Sequence, residues 1–161
     1  MDERQIGLAL TLKELGVSSD ISGFNSRLIL QKTVYLLEEA GIRLGYSFSW
    51  YLRGPYSPGL TRDLYDLNAS SEDIADWELD RDSTAVAQRL RGLIEGAPGE
   101  DLATRARRLE LSASVRYLAC RNRLNPANPV KATEQLAHNG KHFQESEVAD
   151  AIRRLQEAGL L

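Results

Sequence analysis

The chain has 161 residues, which predicts one domain at about 100–200 residues per domain. Hydrophobic residues make up 42% and charged residues 27%, with 20 basic against 23 acidic side chains and a net charge of −3, a balance that excludes disordered, collagen-like and disulfide-scaffold classes. No apolar run approaches the roughly 18 residues that span a bilayer, charges interrupt residues 1–16, and Cys120 is the one cysteine; a cytoplasmic protein with no internal disulfide and no membrane contact is expected.

In chain order, Ile6, Leu8, Leu10, Leu12 and Leu15 recur at helical spacings and stop at Gly16, so the first helix covers 3–15. A second helix, capped by Asn25 or Ser26 and ended by Gly41, is apolar around much of its circumference through Leu28, Ile29 and Val34–Leu37, the mark of a central helix. The period then changes. Tyr46, Phe48, Trp50 and Leu52 alternate with Ser47, Ser49, Tyr51 and Arg53, which predicts a strand with its apolar set facing the core. Gly54-Pro55 ends that strand, and Ser57-Pro58 supplies an N-cap and first-position proline for a short helix. Within the acidic segment Glu72–Asp82, Trp77 and Leu79 predict a second strand paired with the first.

Further helices are predicted over 85–94, 101–121, 130–137 and 145–158. The 101–121 helix carries one inward stripe of Leu102, Ala106, Leu109, Ala113, Tyr117 and Cys120 and a second of Leu111, Val115 and Leu118, so neighbours pack on two sides. Cys120 is read as a small core residue. The fold class is mainly α (α+β): a single domain over 1–161 with six to seven helices and a two-stranded ribbon.

No catalytic set is legible. His138 and His142 have the i, i+4 spacing of a helical metal pair, but Asn139-Gly140 between them stops a helix and no third ligand is evident. Phosphate-binding glycine loops and a nucleophile elbow are absent, and the scattered carboxylates define no acid/base pair. The chain is read as a non-enzyme without metal or cofactor. Two other patterns carry more information. Residues 104–123 hold six arginines against the single acid Glu110; Arg105, Arg108, Arg116 and Arg123 share one arc, suited either to phosphates or to acidic protein groups such as the Glu72–Asp82 segment. Around the Gly54-Pro55 turn cluster Tyr51, Arg53 and Tyr56, and Tyr and Arg are enriched in interface hot spots.

Leu30-Gln31-Lys32, Val34-Tyr35-Leu36 and Trp50-Tyr51-Leu52-Arg53-Gly54-Pro55-Tyr56-Ser57-Pro58 together resemble the Panacea (SocA-like) antitoxin superfamily. Small prokaryotic relatives of that group also have counterparts of Leu109-Glu110-Leu111-Ser112-Ala113-Ser114 and Lys141-His142-Phe143. The likeness runs from about Asn25 to Leu155 and departs from the pattern at Thr33 and Gln144. The resemblance implies a non-enzymatic subunit, adaptor or antitoxin-like, that binds a larger protein effector of a toxin–antitoxin or antiphage defence system. Its interaction residues would be Tyr51, Arg53, Gly54, Pro55 and Tyr56. The alternative is a DNA-binding regulator with a winged-helix-like arrangement that presents Arg105, Arg107, Arg108, Arg121 and Arg123. Nucleic acid is the less favoured partner because the overall balance is acidic.

Overall fold

The second helix, α2 (Phe24–Ala40), is the axis around which the other elements pack. Nine consecutive residues, Ile29 to Leu37, are buried, so it has no solvent face along that stretch and must be covered from every direction. The computed structural model describes residues 1–161. Its elements run α1 (Glu3–Glu14), α2, β1 (Ser49–Tyr51), β2 (Gly54–Tyr56), α3 (Pro58–Ala69), α4 (Arg81–Ile94), α5 (Leu102–Ala119), α6 (Pro129–His138) and α7 (Glu145–Glu157). The protein is mainly α with a single two-stranded antiparallel ribbon.

The most extensive interface joins α2 to α5, and α7 then packs on α5 and α6 on α7. Helices α1 and α4 pack against each other, with α4 also on α2 and α1 on α3, while the β1–β2 hairpin lies across α2 and α5. Helix α5 is sandwiched as its two apolar stripes predict, with Ala106, Leu109, Leu111, Ala113, Val115, Tyr117 and Leu118 buried. Both ends of that helix differ from the sequence reading. Leu102, at the first turn above the Asp101 cap, is 54% exposed, and Cys120, at the C-cap, is exposed as well. The stripe is covered only where α2 and α7 reach it, and it frays into solvent beyond them.

Most helix starts follow the local chemistry. Asp2, Ser57, Asp80, Asp101 and Asn128 accept backbone N–H bonds from the first turns of α1, α3, α4, α5 and α6, satisfying donors that have no intrahelical partner. Helix α2 has no such cap: Gly23, not Asn25 or Ser26, is its N-cap, with no side-chain bond. Burial of its apolar circumference drives that helix, and a cap adds little.

The expected strand at Trp77–Leu79 does not form. Residues 70–80 contain a turn, with Trp77 N–H bonded to the Ile74 carbonyl at 3.0 Å and the Asp73 carboxylate accepting from Ala75 N–H at 2.9 Å, local bonds that compete with strand pairing. The partner of β1 lies much closer in sequence. Ser49 pairs with Tyr56, Trp50 with Pro55 and Tyr51 with Gly54, so Gly54-Pro55 does not end the ribbon but forms its second strand. Leu52 belongs to the two-residue turn rather than to the core face and is 88% exposed. Closing the turn requires Gly54 in the left-handed region, at φ 86°. A Cβ there would also lie 2.7 Å from Ser114 Oγ of α5, so the hairpin rests on α5 at its one side-chain-free residue.

Gly54→Ala is therefore expected to lower the unfolding free energy by about 2–4 kcal/mol, the sum of a left-handed backbone penalty and crowding against α5. Gly140→Ala, also at positive φ but with open space around its Cβ, should lose only the backbone part, about 1–2 kcal/mol. Chemical denaturation of the two variants measures both.

Candidate functional site

Adjacent residues on an α-helix point about 100° apart, and α2 uses that angle to hold two ends of one segment. Gln31 faces the start of α3, where its amide accepts from Ser57 N–H at 2.9 Å and donates to the Ser57 carbonyl at 3.0 Å. Lys32 faces β2 and donates to the Pro55 carbonyl at 2.5 Å. Lys141, beyond α6, reaches the Leu52 carbonyl at the turn and pairs with Glu110 of α5 at 3.3 Å. Gln31, Lys32, Glu110 and Lys141 are all buried. Three polar side chains, Gln31, Lys32 and Lys141, thus hold the backbone of residues 52–57 at several points, and Glu110 holds Lys141.

The electrostatics of this support are uneven, with two ammonium groups against one carboxylate. Burial pushes the Lys32 amine down to about 7, opposed by the Glu110 carboxylate and reinforced by the Lys141 charge. Lys141 is lowered too, chiefly by burial, against the attraction of Glu110. A neutral amine still donates to the Pro55 carbonyl, so the bond to the hairpin survives loss of the charge.

With its backbone held, the hairpin sorts its side chains to two faces. Trp50 turns inward, 5.3 Å from the Tyr117 ring and 5.6 Å from Lys141 Nζ. Tyr51 turns outward and meets Tyr56 edge to face at 5.1 Å, and the Tyr56 hydroxyl bonds Thr61 Oγ1 of α3 at 2.7 Å. Arg53, exposed on the turn, lies over the Phe24 ring at 5.5 Å. Between hairpin, α2 and α3 runs an open groove of about 460 Å³. Its floor includes Leu28, Gln31, Lys32 and Leu64, and Phe24, Tyr51, Leu52, Arg53 and Tyr65 border it. Four of the eight exposed large hydrophobic residues of the protein, Phe24, Tyr51, Leu52 and Tyr65, gather here. An exposed apolar concentration of this kind marks interaction surfaces.

Of the five residues singled out at the turn, Tyr51, Arg53 and Tyr56 line the groove, whereas Gly54 and Pro55 are buried and act by placing the other three. Leu52, Phe24 and Tyr65 are additions that sequence reasoning missed. Leu52 fits the β alternation and so reads as core, and Phe24 lies 29 residues before the Arg53 it meets. The buried support had one sequence signal: Gln31-Lys32-Thr33 is a polar stretch between apolar residues on either side.

The arginines of α5 and its C-terminal extension are engaged within the chain. Arg107 makes a two-pronged pair with Glu147 at 2.9 and 3.0 Å, and Arg108 with Glu100 at 3.1 Å on both prongs. Arg105 donates to the Ile94 carbonyl, Arg116 joins Glu39 and the Leu160 carbonyl, Arg121 stacks on Tyr117, and Arg123 bonds Asn139. Their carboxylate partners are Glu39, Glu100 and Glu147, not the Glu72–Asp82 segment. His138 closes α6 and His142 follows the Gly140 turn, both exposed, and no group of three or more His, Cys, Asp or Glu side chains gathers as a metal site.

No protein-family model, curated protein or solved structure matches the chain. Gln31-Lys32 of α2 and Pro55 and Ser57 after the turn meet in the hairpin support described above.

Because the Lys32 amine sits at about 7 in the folded chain against 10.5 for a free lysine, the unfolded chain binds more protons between those values and stability rises with pH across that window, by up to about 5 kcal/mol. Below pH 7 both states are protonated and the rise vanishes. Urea denaturation at pH 7, 8, 9 and 10 should show this slope. Lys32→Met should flatten it, leaving the smaller part that belongs to Lys141.

Proposed function

We propose that this chain is a non-enzymatic protein-interaction subunit, an adaptor or antitoxin-like accessory protein, that binds a larger effector through the hairpin and the groove beside it. The observation that carries this reading is the gathering of Phe24, Tyr51, Leu52 and Tyr65, exposed, around a hairpin whose backbone is fixed from below. A rigid turn that presents large side chains loses little conformational freedom on binding, and preorganisation of this kind favours affinity. The likeness of the sequence motifs to Panacea-type domains supports the same reading, in which the effector belongs to a bacterial toxin–antitoxin or antiphage defence system.

The test is affinity capture from host cells by the tagged protein and its variants, each with a melting curve. Tyr51→Ala and Leu52→Ser should each weaken binding of the captured effector by about 1–4 kcal/mol, the range of interface hot spots, while the melting midpoint stays within a few degrees of the parent. Trp50→Ala should instead lose about 3 kcal/mol of stability, since its ring packs on Tyr117. Retention of every partner at parental affinity by both surface variants would overturn the proposal.

A further inference from the structure

The lining of the groove is charged in one sense only. Arg27, Lys32 and Arg53 contribute to it and no Asp or Glu does, in a chain whose acidic side chains outnumber its basic ones by 23 to 20. Neither guanidinium has a carboxylate partner. Arg27 donates to the Ile21 and Ser22 carbonyls at 2.9 and 3.5 Å, and Arg53 has only the Phe24 ring beneath it. Six of the sixteen arginines, Arg4, Arg107, Arg108, Arg116, Arg153 and Arg154, are paired with a carboxylate of the chain, and the two in the groove are not among them. Leu28 and Leu64 are among the apolar residues that line the same groove.

Resting on the interaction reading above, we infer that the occupant of this groove is a short acidic segment of the partner protein, in which one or two apolar side chains are flanked by Asp or Glu. The apolar side chains cover Leu28 and Leu64, and the flanking carboxylates take the open positions on Arg53 and Arg27. Guanidinium and carboxylate match as two-pronged pairs, and a desolvated apolar surround strengthens them. A peptide fits better than a compact small molecule because the rim residues, Leu52 at 88% and Phe24, Tyr51 and Tyr65 near half exposed, lie along an open groove that only an extended ligand covers. Complementary charge selects the partner as well as holding it.

The experiment is selection of a displayed random dodecapeptide library on the immobilised full chain, followed by synthesis of the most enriched peptide and titration by fluorescence anisotropy. Enrichment of peptides with Asp or Glu beside Leu, Ile, Phe or Trp is expected. Arg53→Glu should weaken the selected peptide about tenfold or more, and a peptide with Lys in place of its acidic residues should regain affinity for Arg53→Glu over the parent. Circular dichroism of the variant separates this loss from unfolding. Enriched peptides without acidic residues, no enrichment at all, or no rescue by the charge-swapped peptide would overturn the inference, as would competition of the groove by a single-stranded oligonucleotide at equal or higher affinity. If the effector is captured and lost on Tyr51→Ala while the selected peptides carry no acidic bias, the interaction reading stands and the acidic segment falls. Acidic peptides bound in the groove with no effector captured give the opposite result.

Discussion

The hairpin exists in its observed place because α2 carries two polar residues where a central helix ordinarily carries apolar ones. Removing an ammonium group from water costs several kcal/mol even after relaxation, and Lys32 is fully buried. That cost is offset by the Pro55 carbonyl, by the Glu110 charge nearby and by partial loss of the proton. An apolar residue of similar size would serve the core as well or better, so Lys32 is better understood as a positioning residue than as a source of stability. Its contact is with backbone, and so is the Lys141 contact with the turn. Backbone contacts fix the path of residues 52–57 and leave the side chains of Tyr51, Leu52, Arg53 and Tyr56 to point into the groove or solvent.

A second constraint explains the arginine-rich stretch. Every helix leaves carbonyls without partners at its C-terminal end, and a cation there also meets the negative end of the helix dipole. Arg105 and Arg108 take the carbonyls of Leu93, Ile94 and Glu95 at the end of α4, Arg121 that of Tyr117 near the end of α5, Arg91 that of Glu14 at the end of α1, and Arg89 that of Ala40 at the end of α2. The guanidiniums join helix ends to neighbouring helices. On this account the single-sided charge of α5 follows from its central position, which brings it close to the ends of several other elements. Of the two groove arginines, Arg27 bonds the Ile21 and Ser22 carbonyls ahead of α2, while Arg53 meets neither a helix end nor a carboxylate.

Much of the fold was legible in the sequence because the determining interactions are local. The cap at Ser57, the glycine stops at 16 and 41, and the 3.6-residue period of α5 each involve groups within a few positions of one another. The same locality explains the false strand at Trp77–Leu79: two apolar residues in alternation satisfy the pattern, but turn bonds at Asp73 and Ile74 satisfy the backbone first. Cys120 failed for a different reason. Its place on the helix wheel is correct, yet burial of a stripe depends on how far the neighbouring helices extend, which periodicity does not encode.

The sequence by itself determined seven helical segments in outline, the strand at Trp50 with its inward and outward faces, and the aromatic and arginine content of the turn. Only the tertiary structure decided that Gly54–Tyr56 pairs back on that strand, that Leu52 is the most exposed apolar side chain rather than a core residue, and that Arg27 and Arg53 face one groove without an acid. The physical reason is distance along the chain. Lys141 meets the Leu52 carbonyl across 89 residues, Arg107 meets Glu147 across 40, and Lys32 meets Pro55 across 23, and contacts of that range come into being only when α2 and α5 have packed and carried their polar residues inward together.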